Sequence, residues 1–406
     1  MKRALRSVVL MAALTGACLA GTHARAAAQT TYDIYGFVMT DIGFNDIGVD
    51  PEWFDVQRPT KLAASDAEQD DFGQDGSTFF SVRQTRFGVK TSTPTKMGDL
   101  KTQFEFEMFG VGPDAGQTTI RLRHAYGELG KWGVGQYWSP FMDIDVFPNT
   151  VEYWGPNGMV FFRNVQVRYM PIQGDTRLTI ALERPGASGD QGVASDIIGG
   201  DIVARYPLPD LSAEYRKAIK RGYIELSGIV RRIEWEDNDG DPSDDLSGDV
   251  TGWGIHLSSN LKFNGGKDVV RLSAVTGEAI QNYMNDAPVD VGVELNPGDP
   301  VTPVVGVGIP MTGIVAFLDH TWNDRFTSSV GYSRIDIDNV ELQAPDAFKS
   351  GQYFLANLMV YPVPNVMAGV EGGWISRENN SDGYDVDQMH IQFSAKYNFS
   401  FSGGGQ

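Results

Sequence analysis

Basic side chains recur in this sequence between apolar neighbours. Arg121-Leu122-Arg123 and Val167-Arg168-Tyr169 show the pattern, in which cationic and apolar residues alternate. A guanidinium group binds a carboxylate through two parallel hydrogen bonds, and several cations on one face attract anions. If these stretches are strands, alternation collects the cations on one face, where they can bind small organic anions. The residues that share the pattern are Arg86, Lys90, Arg121, Arg123, Arg168, Arg177, Arg216 and Arg231.

The same cations have an alternative role, because acidic residues occupy equivalent positions of the same stretches. Cation and acid would then pair across neighbouring strands and brace a wall of low net charge. The sequence leaves both interpretations open. Arg83 and Arg163 fall on the opposite parity of their stretches and stay unassigned. The acids available for pairing are Glu105, Glu107, Glu183, Glu214 and Glu371.

Strands would position these cations, and the clearest strand pattern in the sequence lies at the end of the chain. Gln388–Phe401 alternates apolar and polar residues, which predicts a strand with one apolar and one polar face. Its last apolar positions are aromatic, which is typical of the interface girdle of a bacterial outer-membrane barrel, with a soluble edge strand as the alternative. We expect the same aromatics to be a signal for the barrel insertion machinery, ending at either of the last two. They are Tyr397, Phe399 and Phe401.

About sixteen segments of this kind are predicted, among them 31–44, 78–91, 118–129 and 177–183. They are joined alternately by short turns and by long polar loops such as 282–310. This asymmetry indicates an all-β, transmembrane antiparallel β-barrel with its turns on the periplasmic side. A barrel of that size encloses an aqueous channel. A soluble β-propeller would need a repeated blade, which the sequence lacks.

In a membrane barrel, the cost of placing a charge in lipid determines which face of a strand carries the cations. An arginine on the lipid face costs about 2–4 kcal/mol at the bilayer midplane, so the cationic parity should line the lumen. The loop 139–158 is rich in proline and aromatic residues, including Phe147 and Trp154. Such a loop exposed to water would be an aggregation liability. We therefore expect it to fold into the interior.

The first residues have the features of an export signal. A basic start precedes the apolar stretch Val8–Ala20, and small residues follow. We predict cleavage near residues 26–28, giving a signal peptide at 1–28 and a single β-barrel domain at 29–406. Cys18, the only cysteine, lies in the leader, so the mature chain has no disulfide. Lipidation at this cysteine is an alternative that lacks the usual leucine.

Composition narrows the function classes. The net charge of −19 argues against nucleic acid as a partner. The mean hydropathy is −0.24, and no apolar run after the leader is long enough for a transmembrane helix. The acidic stretch 236–249 lacks EF-hand spacing, so we expect a solvated external loop, with weak Ca²⁺ binding as the alternative and no other cofactor. We expect no metal site and no catalytic residue, since no histidine pair, G-x-S-x-G motif or P-loop is present.

Several short motifs, in their order along nearly the whole mature chain, resemble the DcaP-like outer-membrane porins, which are trimeric channels linked to dicarboxylate uptake. Members of that family often carry an N-terminal coiled coil, whereas the first strand predicted here follows the cleavage site closely. The motifs include Arg83-Gln84-Thr85-Arg86-Phe87-Gly88, Arg121-Leu122-Arg123-His124-Ala125-Tyr126-Gly127-Glu128, Gly135-Gln136-Tyr137-Trp138-Ser139-Pro140-Phe141, Asp319-His320-Thr321-Trp322 and Phe393-Ser394-Ala395-Lys396-Tyr397-Asn398-Phe399.

The resemblance implies a sixteen-stranded porin in the bacterial outer membrane. It implies a homotrimer in contact with the lipid bilayer and lipopolysaccharide. It also implies passive uptake of small anionic organic solutes, dicarboxylates first, selected by the lumen arginines. A general-diffusion porin without anion preference is the alternative. The third loop would fold into the pore as a constriction, and its candidate residues are Phe141, Asp143, Asp145, Phe147, Tyr153 and Trp154.

Overall fold

The structure is a computed structural model that describes residues 29–72, 76–195, 198, 202–238, 240 and 243–404. The predicted signal peptide, 1–28, lies outside the described residues. The strands are β1 (Thr31–Asn45), β2 (Ser77–Ser81), β3 (Arg86–Thr95), β4 (Gly98–Phe109), β5 (Thr118–Leu129), β6 (Trp132–Trp138), β7 (Arg163–Ile172), β8 (Arg177–Glu183), β9 (Ile202–Arg205), β10 (Asp210–Ile219), β11 (Gly222–Asp237), β12 (Gly248–Phe263), β13 (Asp268–Glu278), β14 (Val291–Leu295), β15 (Val304–Gly308), β16 (Pro310–Asn323), β17 (Phe326–Ile337), β18 (Phe348–Val360), β19 (Val366–Asn379) and β20 (Asp385–Gly403).

Helical structure in the described residues is short. One α-helix, α1, spans Asp66–Phe72. No helix there is both long and apolar enough to cross a membrane. The 3₁₀ turns are Pro51–Trp53, Pro59–Lys61, Gly112–Asp114, Ile144–Val146, Gly192–Ala194, Asn264–Gly266 and Gln281–Tyr283.

The strands close into a barrel. β1 pairs antiparallel with β20 from Tyr32 opposite Gly403 to Asn45 opposite His390. β2 and β3 both pair with β1, and β9 and β10 both lie along β11, so each pair forms one interrupted wall strand. The described residues therefore form sixteen wall strands, which confirms the predicted barrel. β14 and β15 form a separate hairpin.

Alternation assigns the two faces of the wall. In β20, Met389 and Phe393 are exposed on the outside, whereas Gln388 and Gln392 are fully buried on the inside. The outer face is apolar around the barrel, as a lipid-facing surface must be. Phe401 also lies on the outside, 65% exposed, at the end of the closing strand.

Long loops and short turns occupy opposite ends of the barrel. The turns include 130–131, 220–221 and 324–325, and none between successive wall strands exceeds five residues in the described chain. This confirms the predicted asymmetry. The loops at the other end are L1 (46–76), L2 (110–117), L3 (139–162), L4 (184–201), L5 (238–247), L6 (279–309), L7 (338–347) and L8 (380–384), and all but L8 are longer than any of the turns.

L3 folds into the barrel. Phe141, Val146 and Met159 are buried, and they belong to one apolar cluster with the wall residues Ile229 and Val275. The proline-rich and aromatic composition of the loop is thus explained by burial, as expected.

Two predicted boundaries are wrong. The expected strand 78–91 is interrupted because residues 82–85 leave the ladder, and Arg83 turns to bind Asp55 of L1. The expected loop 282–310 contains the hairpin β14–β15, whose valine-rich strands pair with each other rather than with the wall. In both places tertiary contacts override the local pattern.

Two glycines with similar backbone angles test how tightly the wall is packed. Gly135 in β6 has φ +118°, and a Cβ there would lie 2.1 Å from the carbonyl oxygen of Ala125. Gly174 has φ +113° and open space around it. We expect Gly135→Ala to lower the free energy of unfolding by about 3 kcal/mol and Gly174→Ala by about 1 kcal/mol. Guanidinium unfolding of the refolded protein in detergent measures both, and equal losses would contradict this packing.

Candidate functional site

Two carboxylates of β4 organise the charged interior. The Arg123 guanidinium donates to Glu105 and to Glu107, each at 2.6 Å. A bulge in the β4–β5 pairing brings Arg123 and its neighbour His124 to the same side of the wall, where both are buried. The sequence parity placed Arg123 inside, but only the bulge explains why it reaches both acids.

More cations surround these two acids than their carboxylates can neutralise. Arg86 lies 3.3 Å from Glu107, Arg121 lies 3.7 Å from it, and Arg163 lies 3.9 Å from it. In the described residues, four guanidinium groups therefore share two carboxylates. The side chains of Arg86 and Arg121 are 24% and 25% exposed, whereas those of Arg123 and Arg163 are 5% exposed.

Some donors of this arginine cluster are unused. Arg86 Nε and Arg163 Nη1 are buried and have no hydrogen-bond partner among the described residues. A buried donor without an acceptor is unfavourable, and a bound anion would satisfy it. Of the four arginines, Arg86 and Arg121 are the two that an anionic group in the lumen can reach, because their side chains are partly exposed.

L3 contacts this cluster through Tyr153. The Tyr153 hydroxyl donates to Glu107, and its ring stacks on Phe109 with centroids 4.2 Å apart. Burial raises the pKa of Tyr153, which keeps the hydroxyl a neutral donor. Trp154 Nε1 donates to the Asn285 carbonyl of L6 at 2.8 Å. The two aromatic residues thus fix the loop against the arginine side of the lumen.

A second group of arginines is fully paired. Arg216 contacts Asp143 and Asp145 of L3 at 2.5 Å each and Glu225 at 2.6 Å. Arg231 contacts Asp210 at 3.0 Å and Asp290 at 2.9 Å. Both arginines are buried, so they hold the wall and the loops together rather than facing the solution. The bracing interpretation describes this part of the barrel.

Other predicted lumen cations differ in their pairing. Arg177 bridges Glu214 and Glu225 at 3.1 Å each. Arg168 donates to Gln166, and Lys90 lies 4.9 Å from the Tyr35 ring.

Four cations on the inner face have no ion-paired carboxylate among the described residues. They are Lys90, Arg168, Arg377, which donates to Asn379 and to backbone carbonyls, and Lys396 of β20, 5.3 Å from the Phe37 ring. Sequence reasoning missed Lys396, although its parity within the alternating closing stretch was the available signal.

The candidate constriction residues play different parts. Asp143 is buried and accepts from Tyr223 and Ser258 at 2.6 Å each, and Phe141 is buried beside it. Asp145 is the most exposed, with 49% of its side chain accessible, and Phe147 packs on Phe161. Asp143 and Phe141 therefore anchor the loop, while Asp145 faces the open lumen.

The two unassigned arginines also have clear places. Arg83 is buried at the external rim, bound to Asp55 at 2.6 Å and to the Gly110 carbonyl at 3.0 Å. Arg163 begins β7 and joins the arginine cluster, with its guanidinium 5.3 Å from the Trp138 ring. Across the described ranges, no group of three or more His, Cys, Asp or Glu side chains is arranged to hold a metal ion.

A closed sixteen-stranded antiparallel barrel with an apolar outside, a charged inside and an inward third loop defines an outer-membrane channel. A family model described as DcaP outer membrane protein matches residues 22–237, which is more than half of the chain. The chain therefore belongs to the DcaP outer membrane protein family and is located in the outer membrane. The resemblance seen in its motifs is confirmed.

Solved structures agree on the fold. The outer membrane channel DcaP of Acinetobacter baumannii is 21% identical with a TM-score of 0.74, over 94% of this chain and all of that one. An anion-selective porin from Comamonas acidovorans is 11% identical with a TM-score of 0.56, over 91% of this chain and all of that one. A trimer form of OmpT from Vibrio cholerae is 13% identical with a TM-score of 0.53, over 91% and 99%. No curated protein sequence matches the chain.

Unfolding experiments can test whether Glu107 is the carboxylate that stabilises the arginine cluster. Glu107→Gln leaves Arg86, Arg121, Arg123 and Arg163 without their shared carboxylate, so we expect the free energy of unfolding to fall by about 3–5 kcal/mol. Glu128→Gln is the matched control, because Glu128 pairs with the exposed Lys101 at 3.4 Å and its loss should cost about 0–1 kcal/mol. Urea or guanidinium unfolding in detergent measures both, and a small loss in the Glu107 variant would refute the shared-carboxylate role.

Proposed function

We propose that this channel carries small anionic organic solutes by passive diffusion, with dicarboxylates favoured. The observation that supports the proposal is the imbalance of the arginine cluster, where four guanidinium groups share Glu105 and Glu107. The nearby cations without carboxylate partners extend this positive region along the same side of the lumen. A charged lining of one sign concentrates solutes of the opposite sign in a pore.

The preference for two carboxylates rests on Arg86 and Arg121. They approach opposite oxygens of Glu107, Arg86 at Oε2 and Arg121 at Oε1, so one carboxylate separates the two guanidinium groups. A short dicarboxylate can bring one carboxylate to each guanidinium group, and it contributes two negative charges where a monocarboxylate contributes one. Because both arginines are partly exposed and remain paired to Glu107, the solute is held weakly enough to leave again.

We propose a homotrimer for the assembly, in the bilayer with lipopolysaccharide around its outer half. The trimer form of OmpT, which shares the fold, supports this assignment. We also propose that the exposed aromatics at the end of β20 are read by the barrel insertion machinery. Tyr397 and Phe401 are 56% and 65% exposed on the outer face, where a partner can reach them.

A general-diffusion porin without anion preference is the second candidate. The complete pairing of Arg216 and Arg231 and the exposure of Asp145 favour it, because these residues add negative charge or remove positive charge from the lumen. The two candidates differ in the sign of the reversal potential in a salt gradient. A clear anion preference of the wild-type channel supports the first, and a neutral or cation preference supports the second.

Removing the two exposed arginines of the cluster tests the proposal. Arg86→Gln combined with Arg121→Gln should lower the anion-over-cation permeability ratio in planar bilayers by about threefold or more. The ability of a short dicarboxylate to block chloride current should fall more than that of a monocarboxylate. The physical reason is the loss of two guanidinium groups that face the solution beside L3.

The control for that experiment removes the same charge elsewhere. Lys220→Gln combined with Arg221→Gln takes one lysine and one arginine from the exposed 220–221 turn, outside the lumen. This variant should keep the wild-type reversal potential. Equal permeability ratios for the wild type and the lumen variant would overturn the role given to Arg86 and Arg121.

A further inference from the structure

A buried carboxyl of the wall holds the inner part of L3. Glu371 of β19 accepts hydrogen bonds from the backbone N–H of Val151 at 2.9 Å and of Glu152 at 2.7 Å. The side-chain amide of Asn357 donates to it at 2.8 Å. Glu371 is 1% exposed. Glu371 thus binds two successive backbone N–H groups of the loop to the wall.

A second buried carboxyl stands beside the first, in the loop itself. Glu152 accepts from the backbone N–H of Gln57 at 3.1 Å, of Trp154 at 2.7 Å and of Gly155 at 2.6 Å. The Tyr353 hydroxyl donates at 3.2 Å to Oε2, the oxygen that also accepts from Gly155. When Oε2 is protonated and the tyrosine O–H turns away, the Glu152 O–H can donate to the tyrosine oxygen, so the contact is kept with its direction reversed.

No cation compensates this pair. In the described residues neither Glu152 nor Glu371 makes an ion pair with Lys or Arg. Burial raises the pKa of Glu152 to about 8. The neighbouring Glu371 disfavours a second negative charge, so Glu152 keeps its proton at neutral pH. The titratable groups that face the pair are Asp41 of β1 and Tyr353 of β18.

We propose that the proton on Glu152, beside Glu371, keeps L3 against the wall, and that its loss at alkaline pH lets the loop move further into the lumen. The direction of the pH effect follows from the pKa of the carboxyl in the two positions of the loop. A carboxyl that is harder to ionise when L3 is held than when L3 is solvated favours the held position at low pH. That stability is lost as the pH rises through its titration in the held loop. Glu152 and Glu371 are therefore positioning residues for the constriction.

Release of L3 would directly change the contacts of the arginine cluster. Tyr153, the next residue after Glu152, donates to Glu107. The Val151 carbonyl accepts from Gln84, in the interruption between β2 and β3, at 2.8 Å and from Gln392 of β20 at 3.2 Å, so the same turn also contacts these parts of the wall. Movement of this turn changes both the width of the lumen and the environment of Arg86 and Arg121.

Single-channel recordings of the full protein at several pH values test the proposal. Raising the pH from about 6 to about 10 should increase the closing frequency of the wild type by about a hundredfold, because about two pH units separate pH 6 from the Glu152 pKa of about 8 and each is worth a factor of about ten. Glu152→Gln is neutral at every pH, so its closing frequency should stay low and flat. Glu341→Gln, on the exposed L7 loop, is the matched control and should behave as the wild type.

A reversible crosslink distinguishes loop movement from other effects of pH. Asn149 Nδ2 lies 3.3 Å from Thr327 Oγ1, so a reducible bis-thiol reagent can join the two cysteines of an Asn149→Cys, Thr327→Cys variant and tie L3 to β17. The crosslinked variant should lose the alkaline closures although both carboxyl groups are present, and reduction should restore them. A wild-type channel with no change in closing over this pH range would overturn the proposal. So would an unchanged pH profile in a Glu152→Gln variant that still folds, as judged by heat-modifiable mobility on gels.

Discussion

The hydrogen-bonded closure of β1 on β20 is the constraint on which the rest of this structure depends. The hydrocarbon core supplies no water to an open strand edge, and each unsatisfied backbone group there costs several kcal/mol. Pairing from Tyr32 opposite Gly403 to Asn45 opposite His390 removes the edge. Once the sheet is closed, every strand residue faces either lipid or lumen, and the alternating charged residues have only the lumen available.

The lumen then divides into two electrostatic halves. Where acids equal or outnumber bases, as around Arg216, the arginines brace the wall and hold L3 through Asp143. Where bases outnumber acids, as around Glu107, positive charge remains for a solute. L3 joins the halves, because Asp143 contacts the first and Tyr153 contacts the second. The anion preference proposed for the channel is therefore a property of one side of the barrel, and its geometry depends on where the loop lies.

Elements with strong alternation could be predicted from sequence with little error. The predicted strands 118–129 and 177–183 coincide with β5 and β8, because alternating apolar and polar residues extend through β8 and the first half of β5, and each strand has a turn beside it. Strand 78–91 could not be predicted correctly, since its interruption depends on Asp55, far away in L1, capturing Arg83. The hairpin β14–β15 was missed because glycine and valine strands within a polar loop carry no amphipathic signal.

The sequence by itself determined that the wall is built of amphipathic strands and which side chains face the lumen, because a period of two is a local property of the chain. It could not decide which cations remain unpaired. Arg123 and Arg216 have the same parity and similar neighbours as Arg86, yet two are neutralised by close acids and one retains an unused donor. That difference depends on strand register, on the bulge at Arg123 and on L3 reaching Glu371, 220 residues away from Val151. Contacts of this range are set only when the barrel closes around its third loop.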